Sequence, residues 1–124
     1  MTQNDNGFKS FLSAASIGAF HCVDIDANGK IVSSAVNTRP IGIVQEDVIT
    51  GNYASVKMLT ASGTFMISLG ANAVTAGTNY STLAAGDVGG VVATATLFRA
   101  LQTQVTASGT IIEFAYVGGA GPTL

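Results

Sequence analysis

The residues best suited to chemistry are His21 and Cys22, which are neighbours in the chain. An imidazole within reach of a thiol can activate it as a nucleophile. Adjacent residues on a strand point to opposite faces, so these two cannot form such a pair with each other. The chain has a single His and a single Cys, too few for a zinc site of the usual Cys and His composition. We therefore expect no catalytic residues, no metal site and no cofactor.

The run Asp24-Ile25-Asp26-Ala27-Asn28-Gly29 has the alternating oxygen ligands that open a calcium-binding EF-hand loop. The twelfth position of such a loop is a bidentate Glu, but here it is Ala35. The same residues fit a β-hairpin, because Asn28-Gly29 suits the two positive φ angles of a type I′ turn. We expect the hairpin rather than a calcium site.

The other polar residues form no recognisable reaction centre. Glu46 and Asp47 are sequence neighbours, whereas Asp87 and Glu113 stand alone, which does not resemble the opposed carboxylates of a glycosidase. The glycine-containing turns lack the spacing that binds phosphates. Five scattered Lys and Arg against seven Asp and Glu argue against a nucleic-acid partner. A small hydrolase is therefore poorly supported, and we expect a protein that is not an enzyme.

Charge is scarce in this chain. Charged residues make up 10% of the 124 residues, against about a quarter in an ordinary soluble domain. A domain with so few ionic groups lacks the usual hydrated coat, so we expect neighbouring subunits to cover much of its surface. No run of about 18 apolar residues could span a bilayer, so we expect no membrane partner. The single Cys excludes an intramolecular disulfide, which leaves packing and association as the sources of stability.

Short runs of β-type residues separated by glycine turns predict one all-β domain of short antiparallel strands. A small β-sandwich and a tulip- or barrel-like domain both fit this pattern. We place the domain at residues 17–117. Residues 1–16 are expected to form an extended N-terminal arm, and residues 118–124 a flexible C-terminal tail.

A weak internal repeat runs through the domain. A shift of 60 residues places Gly29 over Gly89 and Arg39 over Arg99, and with a gap of two residues 50–58 fall over 108–116. These matches predict pseudo-repeats at 18–59 and 78–117. Because few residues are identical, chance similarity between two β-meanders is the alternative.

The chain resembles the small β-rich capsid decoration, or cement, proteins of tailed bacteriophages. The likeness runs from about residue 17 to 117 and rests on the stretches 20–32, 39–45, 50–58, 76–78 and 107–117. It implies a β-sandwich or tulip-like virion protein, often a homotrimer, on the outer surface of the phage head. Such a protein clamps neighbouring major capsid subunits, and its N-terminal arm commonly adds to the capsid sheet. Synthesis would be in the host cytoplasm.

Two sets of residues are candidates for these contacts. The arm offers Phe8, Phe11 and Leu12 as capsid anchors. The candidates for a subunit interface are Arg39, Arg99, Tyr53, Tyr80 and Tyr116. In the alternative function, a head-fibre or carbohydrate-recognition module, the tyrosines would be stacking platforms. Packing within the protein is the simpler interpretation of the tyrosines, since each lies in an apolar-patterned run.

Overall fold

The computed structural model describes residues 7–36, 38–60, 63–70, 72–90, 97–105 and 109–117. These residues contain ten short strands and one 3-10 turn at Ala84–Gly86. Within the same ranges, no helix is long and apolar enough to cross a membrane. The prediction of an all-β fold is confirmed. The strands are β1 (Phe8–Leu12), β2 (Cys22–Ile25), β3 (Ile31–Ser33), β4 (Gly42–Val44), β5 (Tyr53–Met58), β6 (Phe65–Ser68), β7 (Asn79–Thr82), β8 (Val88–Gly90), β9 (Phe98–Ala100) and β10 (Ile111–Tyr116).

The strands form two antiparallel sheets with one and the same topology. The first half, residues 7–60, has the order β1-β5-β4-β2-β3, and the second half, residues 63–117, has the order β6-β10-β9-β7-β8. Advancing every strand of the first sheet by five gives the second. Each sheet also curls, because a parallel bridge joins its two edges: Ser13 to Ile31 in the first half and Leu69 to Val88 in the second. Each half is therefore a small barrel-like unit.

The hydrogen bonds repeat along with the strands. Ile17 and Val48 exchange two backbone hydrogen bonds in the first half, and Val74 and Gln104 exchange the same two in the second. Counterpart residues are 56 to 58 positions apart: 74 − 17 = 57 and 104 − 48 = 56 for these pairs, and 111 − 53 = 58 for the first residues of β10 and β5. For β5 and β10 this alignment agrees with the sequence comparison.

For β2 and β7 the structural alignment departs from the sequence comparison by three residues. The structural counterpart of Gly29 is Gly86 rather than Gly89, and both residues hold a positive φ, 78° and 81°, in the turn between the second and third strands. As a consequence the counterpart of Arg99 is Ile43, so the predicted match of Arg99 with Arg39 is wrong.

The segment expected to be a separate arm belongs largely to the first sheet. All five residues of β1 pair with β5, from Phe8 opposite Lys57 to Leu12 opposite Tyr53. Phe11 packs against the first-half core, which gives the segment a reason to fold back. Residues 1–6 of the predicted arm and the predicted tail at 118–124 lie outside the described residues.

The hairpin between β2 and β3 forms where the sequence predicts it, but its turn is not type I′. Gly29 has a positive φ, whereas Asn28 is not among the described non-glycine residues with one. The Asp26 carboxylate accepts hydrogen bonds from the backbone N–H groups of Asn28 and Lys30, at 2.9 and 3.0 Å. This side-chain cap stabilises a wider loop in which only the glycine needs the left-handed region.

The first sheet contributes to two cores. Its inner face, with Val23 and Val44, packs within the first half. Its outer face, with Cys22, Ile43 and also Leu59, packs against the second half. Successive side chains on a strand point to opposite faces, so one sheet serves both cores and joins the two halves. Fully burying a large apolar side chain contributes about 1.5–3 kcal/mol.

Candidate interaction surface

The outer face of the β1–β5 ladder is exposed at the end away from the second half. Phe8, Ser10 and Leu12 lie on the face opposite to Phe11, which points to the first-half core. Across the ladder Leu12 faces Tyr53, and Ser13 N–H donates to Asn52 O at 2.9 Å in the neighbouring pair. Leu12 and Tyr53 thus form a non-hydrogen-bonded pair, in which side chains approach most closely.

We call Phe8, Leu12 and Tyr53 the outer stripe. The Tyr53 side chain is 70% exposed and that of Phe8 is 43% exposed, while Leu12 is half-buried. Ile49 is 62% exposed and begins the tight turn that leads into β5, since Asn52 N–H donates to Ile49 O at 3.1 Å. Several large apolar side chains on a rigid ladder form the kind of surface that marks an interaction site.

Lys57 fixes the end of the outer stripe nearest the second half. Its ammonium group donates a hydrogen bond to Thr64 O at 2.6 Å and lies 4.6 Å from the centre of the Phe65 ring. The same group lies 6.0 Å from the Phe8 ring centre, a second cation–π contact. A single side chain thus ties β1 to the start of the second half.

The predicted arm residues divide between two faces. Phe8 and Leu12 belong to the outer stripe, whereas Phe11 packs on the core. Tyr53 joins the stripe. The stripe was not predictable as a set, because only the register of β1 against β5 places Tyr53 beside Leu12. Ile49 was missed, and no signal in its sequence neighbourhood distinguishes it from a buried Ile.

The other predicted interface residues lie elsewhere. Tyr80 is 5% exposed, and its hydroxyl accepts a hydrogen bond from Thr75 N–H at 2.7 Å. It is a core residue, so its prediction as an interface residue is wrong. Tyr116 is half-buried, with its ring centre 5.9 Å from that of Phe98. Arg39 is exposed in the first half. Arg99 is exposed in the second half, where its Nε donates to the Asn79 side chain at 2.9 Å.

His21 and Cys22 stand on opposite faces of the chain, as expected. Cys22 is fully buried, and its pKa is raised far above the ordinary range, chiefly by loss of hydration and also by the Asp87 carboxylate. Such a thiol is a poor nucleophile. His21 Nε2 lies 3.0 Å from an Asp87 oxygen, and its Nδ1 lies 2.9 Å from Gly18 O. This contact joins the first half to the second.

Comparison with known proteins found a similarity in fold to a solved structure. No protein-family model matches the chain, and no curated protein matches it. Among solved structures, the chain is similar to the N base of head fibre gp8.5 in bacteriophage phi29, with a TM-score of 0.75. That alignment covers 90% of this chain and 94% of the fibre base, at 15% sequence identity. At that identity the likeness defines a shared fold.

Proposed function

We propose that this chain is a non-enzymatic structural protein of a phage particle that binds the outside of the head. There it stabilises contacts between major capsid subunits and works as a homo-oligomer, with a trimer favoured. The observation that carries the proposal is the outer stripe, Phe8, Leu12 and Tyr53, exposed on a rigid ladder. The shared fold with a phage head fibre base supports it, as does the scarcity of charge.

The outer stripe suits attachment to a protein shell. Burying one large apolar side chain contributes about 1.5–3 kcal/mol, so Tyr53 and Phe8 together supply modest affinity per copy. A homo-oligomer presents several stripes at once, and linked sites strengthen binding by a factor of about 10²–10⁴. Weak individual contacts then become a lasting clamp across neighbouring capsid subunits.

The test is co-sedimentation of purified variants with expanded capsids of the source phage that lack this protein. Tyr53→Ser should weaken binding by about tenfold or more, since truncating a central aromatic anchor typically costs 2 kcal/mol or more. Ile49→Ser should weaken it less. Val105→Ser is the matched control, because Val105 is the counterpart of Ile49 in the second half and is 80% exposed. It should bind as the wild type does.

Thermal melting of each variant separates lost binding from lost folding, since all three side chains are exposed. Heating decorated and bare shells then tests the stabilising role: decorated shells should release their DNA at a higher temperature. Wild-type protein that does not co-sediment with the shells would overturn the proposal. So would a Tyr53→Ser variant that decorates them normally.

A second function is a fibre base, in which the chain anchors a longer appendage to the head. The observation that favours it is the alignment over 94% of the phi29 fibre base. In this case shell stability would not change on binding, and a fibre partner would co-purify with decorated particles. Binding to a glycan array in the absence of shells would instead support the carbohydrate-recognition alternative.

A further inference from the structure

The two halves contribute different elements to the contact between them. Ser68 N–H, at the end of β6, donates to Phe20 O at 2.8 Å. Gly86 N–H, in the turn between β7 and β8, donates to Ser34 O at 3.1 Å. In both cases the second half presents its first strand or its turn, and the first half presents the segments beside β2 and β3.

Two side-chain contacts between the halves have the same arrangement. The Thr82 hydroxyl, at the end of β7, contacts the carbonyl oxygens of Ala35 and Thr38 at 3.0 and 3.2 Å. His21, just before β2, contacts Asp87, just before β8, at 3.0 Å. The first half therefore covers one end of the second barrel.

In the part of the chain that the structure describes, the equivalent end of the first barrel is open. The counterparts of Ser68, Thr82, Gly86 and Asp87 are Leu12, Ile25, Gly29 and Lys30, which we call the receiving surface. A Cβ atom at Gly86 would overlap the carbonyl oxygen of Cys22, whereas at Gly29 nothing lies within 4 Å. Ile25 is 43% exposed, whereas Thr82 is buried.

Part of the matching surface of the second half is described, and that part is open. The counterparts of Phe20, His21 and Cys22 are Gly77, Thr78 and Asn79, which we call the donating surface, although its carbonyl groups accept hydrogen bonds. The counterparts of Ser34, Ala35 and Thr38 lie outside the described residues. Gly77 and Thr78 are exposed, and Asn79 is half-buried. Among the described residues, no hydrogen bond or ion pair joins the donating surface to the first half.

We propose that the donating surface of one copy of this chain binds the receiving surface of a second copy. The contact brings these surfaces together between copies as their counterparts meet within a chain. Of the hydrogen bonds between the halves, the one from Ser68 N–H to Phe20 O has a backbone counterpart among the described residues, in Leu12 N–H and Gly77 O. A head-to-tail contact of this kind closes into a ring or grows as a filament. The proposal rests on the homo-oligomer of the proposed function and gives that oligomer its contact, and it does not require a capsid.

Counterpart positions identify the pairs that meet. The Leu12 N–H points away from β5, as the Ser68 N–H points away from β10, so it faces Gly77 O of the second copy as Ser68 faces Phe20 O. The His21–Asp87 pair becomes Thr78 of one copy and Lys30 of the next. There the Lys30 ammonium donates to the Thr78 hydroxyl oxygen.

The pair of Thr78 and Lys30 allows a test by charge substitution. Sedimentation velocity of the purified full chain, in the absence of shells, measures self-association. Thr78→Asp adds an ion pair to Lys30 of the next copy and should tighten self-association about two- to fivefold per contact. Thr78→Lys adds a repulsion and should weaken it by a similar factor. Thr60→Asp and Thr60→Lys are matched controls at another exposed threonine and should leave association unchanged.

A mixing experiment shows whether the contact lies between copies. Thr78→Lys mixed with Lys30→Glu should regain association, because the new lysine of one copy meets the new glutamate of the other. Both variants keep their fold if their melting temperatures match the wild type. A wild-type chain that stays monomeric at every concentration overturns this proposal. So does a Thr78→Lys variant that associates normally, or one that Lys30→Glu does not rescue.

Each outcome is separable from the proposed function. A monomer that still decorates shells through Tyr53 would leave the capsid role intact and remove only the head-to-tail contact. A head-to-tail oligomer that does not bind shells would support the contact between copies and overturn the capsid role.

Discussion

The two halves of this protein have one topology and different surroundings. The second half has a core with three fully buried phenylalanines, Phe65, Phe98 and Phe114, and its end is covered by the first half. The first half has an aliphatic core, built largely of Val and Ile, and leaves both the outer stripe and the receiving surface open. A repeated backbone therefore does not repeat its contacts. The side chains on the outer faces decide which half is enclosed and which half is available to a partner.

The largest expected difference between the halves is at their paired turn glycines. Gly86→Ala should lower the free energy of unfolding by about 2–5 kcal/mol, because the methyl group meets the Cys22 backbone and the residue keeps a positive φ. Gly29→Ala has only the φ strain and should cost about 1–2 kcal/mol. Denaturant unfolding measures both, and equal losses would mean that the two turns have equivalent surroundings.

Cys22 gives the next effect, since Cys22 is fully buried and its counterpart Asn79 is only half-buried. Burial raises the pKa of the Cys22 thiol, and Asp87 raises it further. The folded state therefore keeps a proton that the unfolded chain loses. This contribution to stability is complete below the ordinary thiol pKa of about 8.5 and falls above it by about 1.4 kcal/mol per pH unit.

Unfolding curves of the wild type and Cys22→Ala, recorded from pH 7 to pH 10, isolate this contribution. The stability advantage of the wild type should shrink by about 2 kcal/mol over that range. A constant difference between the two proteins would show that the thiol titrates alike in both states.

The smallest expected difference concerns the contact between His21 and Asp87, which joins the halves. Asp87→Asn removes the carboxylate that lies 3.0 Å from His21 Nε2 and should cost about 1 kcal/mol. Lys30→Gln, at the counterpart position, should stay within about 0.5 kcal/mol. Thermal melts of the two variants compare them, and a larger loss for Lys30→Gln would reverse the assignment of covered and open ends.

Local patterns in the sequence were sufficient for part of the fold. Glycine turns and alternating apolar residues predict the all-β class, and Asn28-Gly29 marks the hairpin between β2 and β3. The type of that turn depended on the Asp26 carboxylate, which caps two backbone N–H groups. The partly polar sequence of residues 8–16 predicted an arm. In the structure, β1 lies within this segment and pairs with β5, and Phe11 packs against the first-half core.

The candidate surface was predictable only in fragments. Phe8, Leu12 and Tyr53 stand out as apolar residues, and alternation along a strand separates Phe8 and Leu12 from Phe11. Only the pairing of β1 with β5 places Tyr53 beside Leu12, and only the packing buries Tyr80. The sequence comparison detected the repeat, but its alignment was wrong by three residues around β2. It matched Gly29 with Gly89, whereas the equivalent turn glycine in the structure is Gly86.

The sequence by itself determined the strand-forming segments, the turn positions and the low charge, since each depends on residues that are neighbours in the chain. Tertiary structure alone decided the matching topology of the halves, the burial of Cys22 and Tyr80, and the exposure of the outer stripe. Those properties arise from pairing between residues up to 49 positions apart in the chain, as 57 − 8 = 49 shows for Phe8 and Lys57. Alternation along one strand sets two faces, and only the neighbouring strands determine which face is buried.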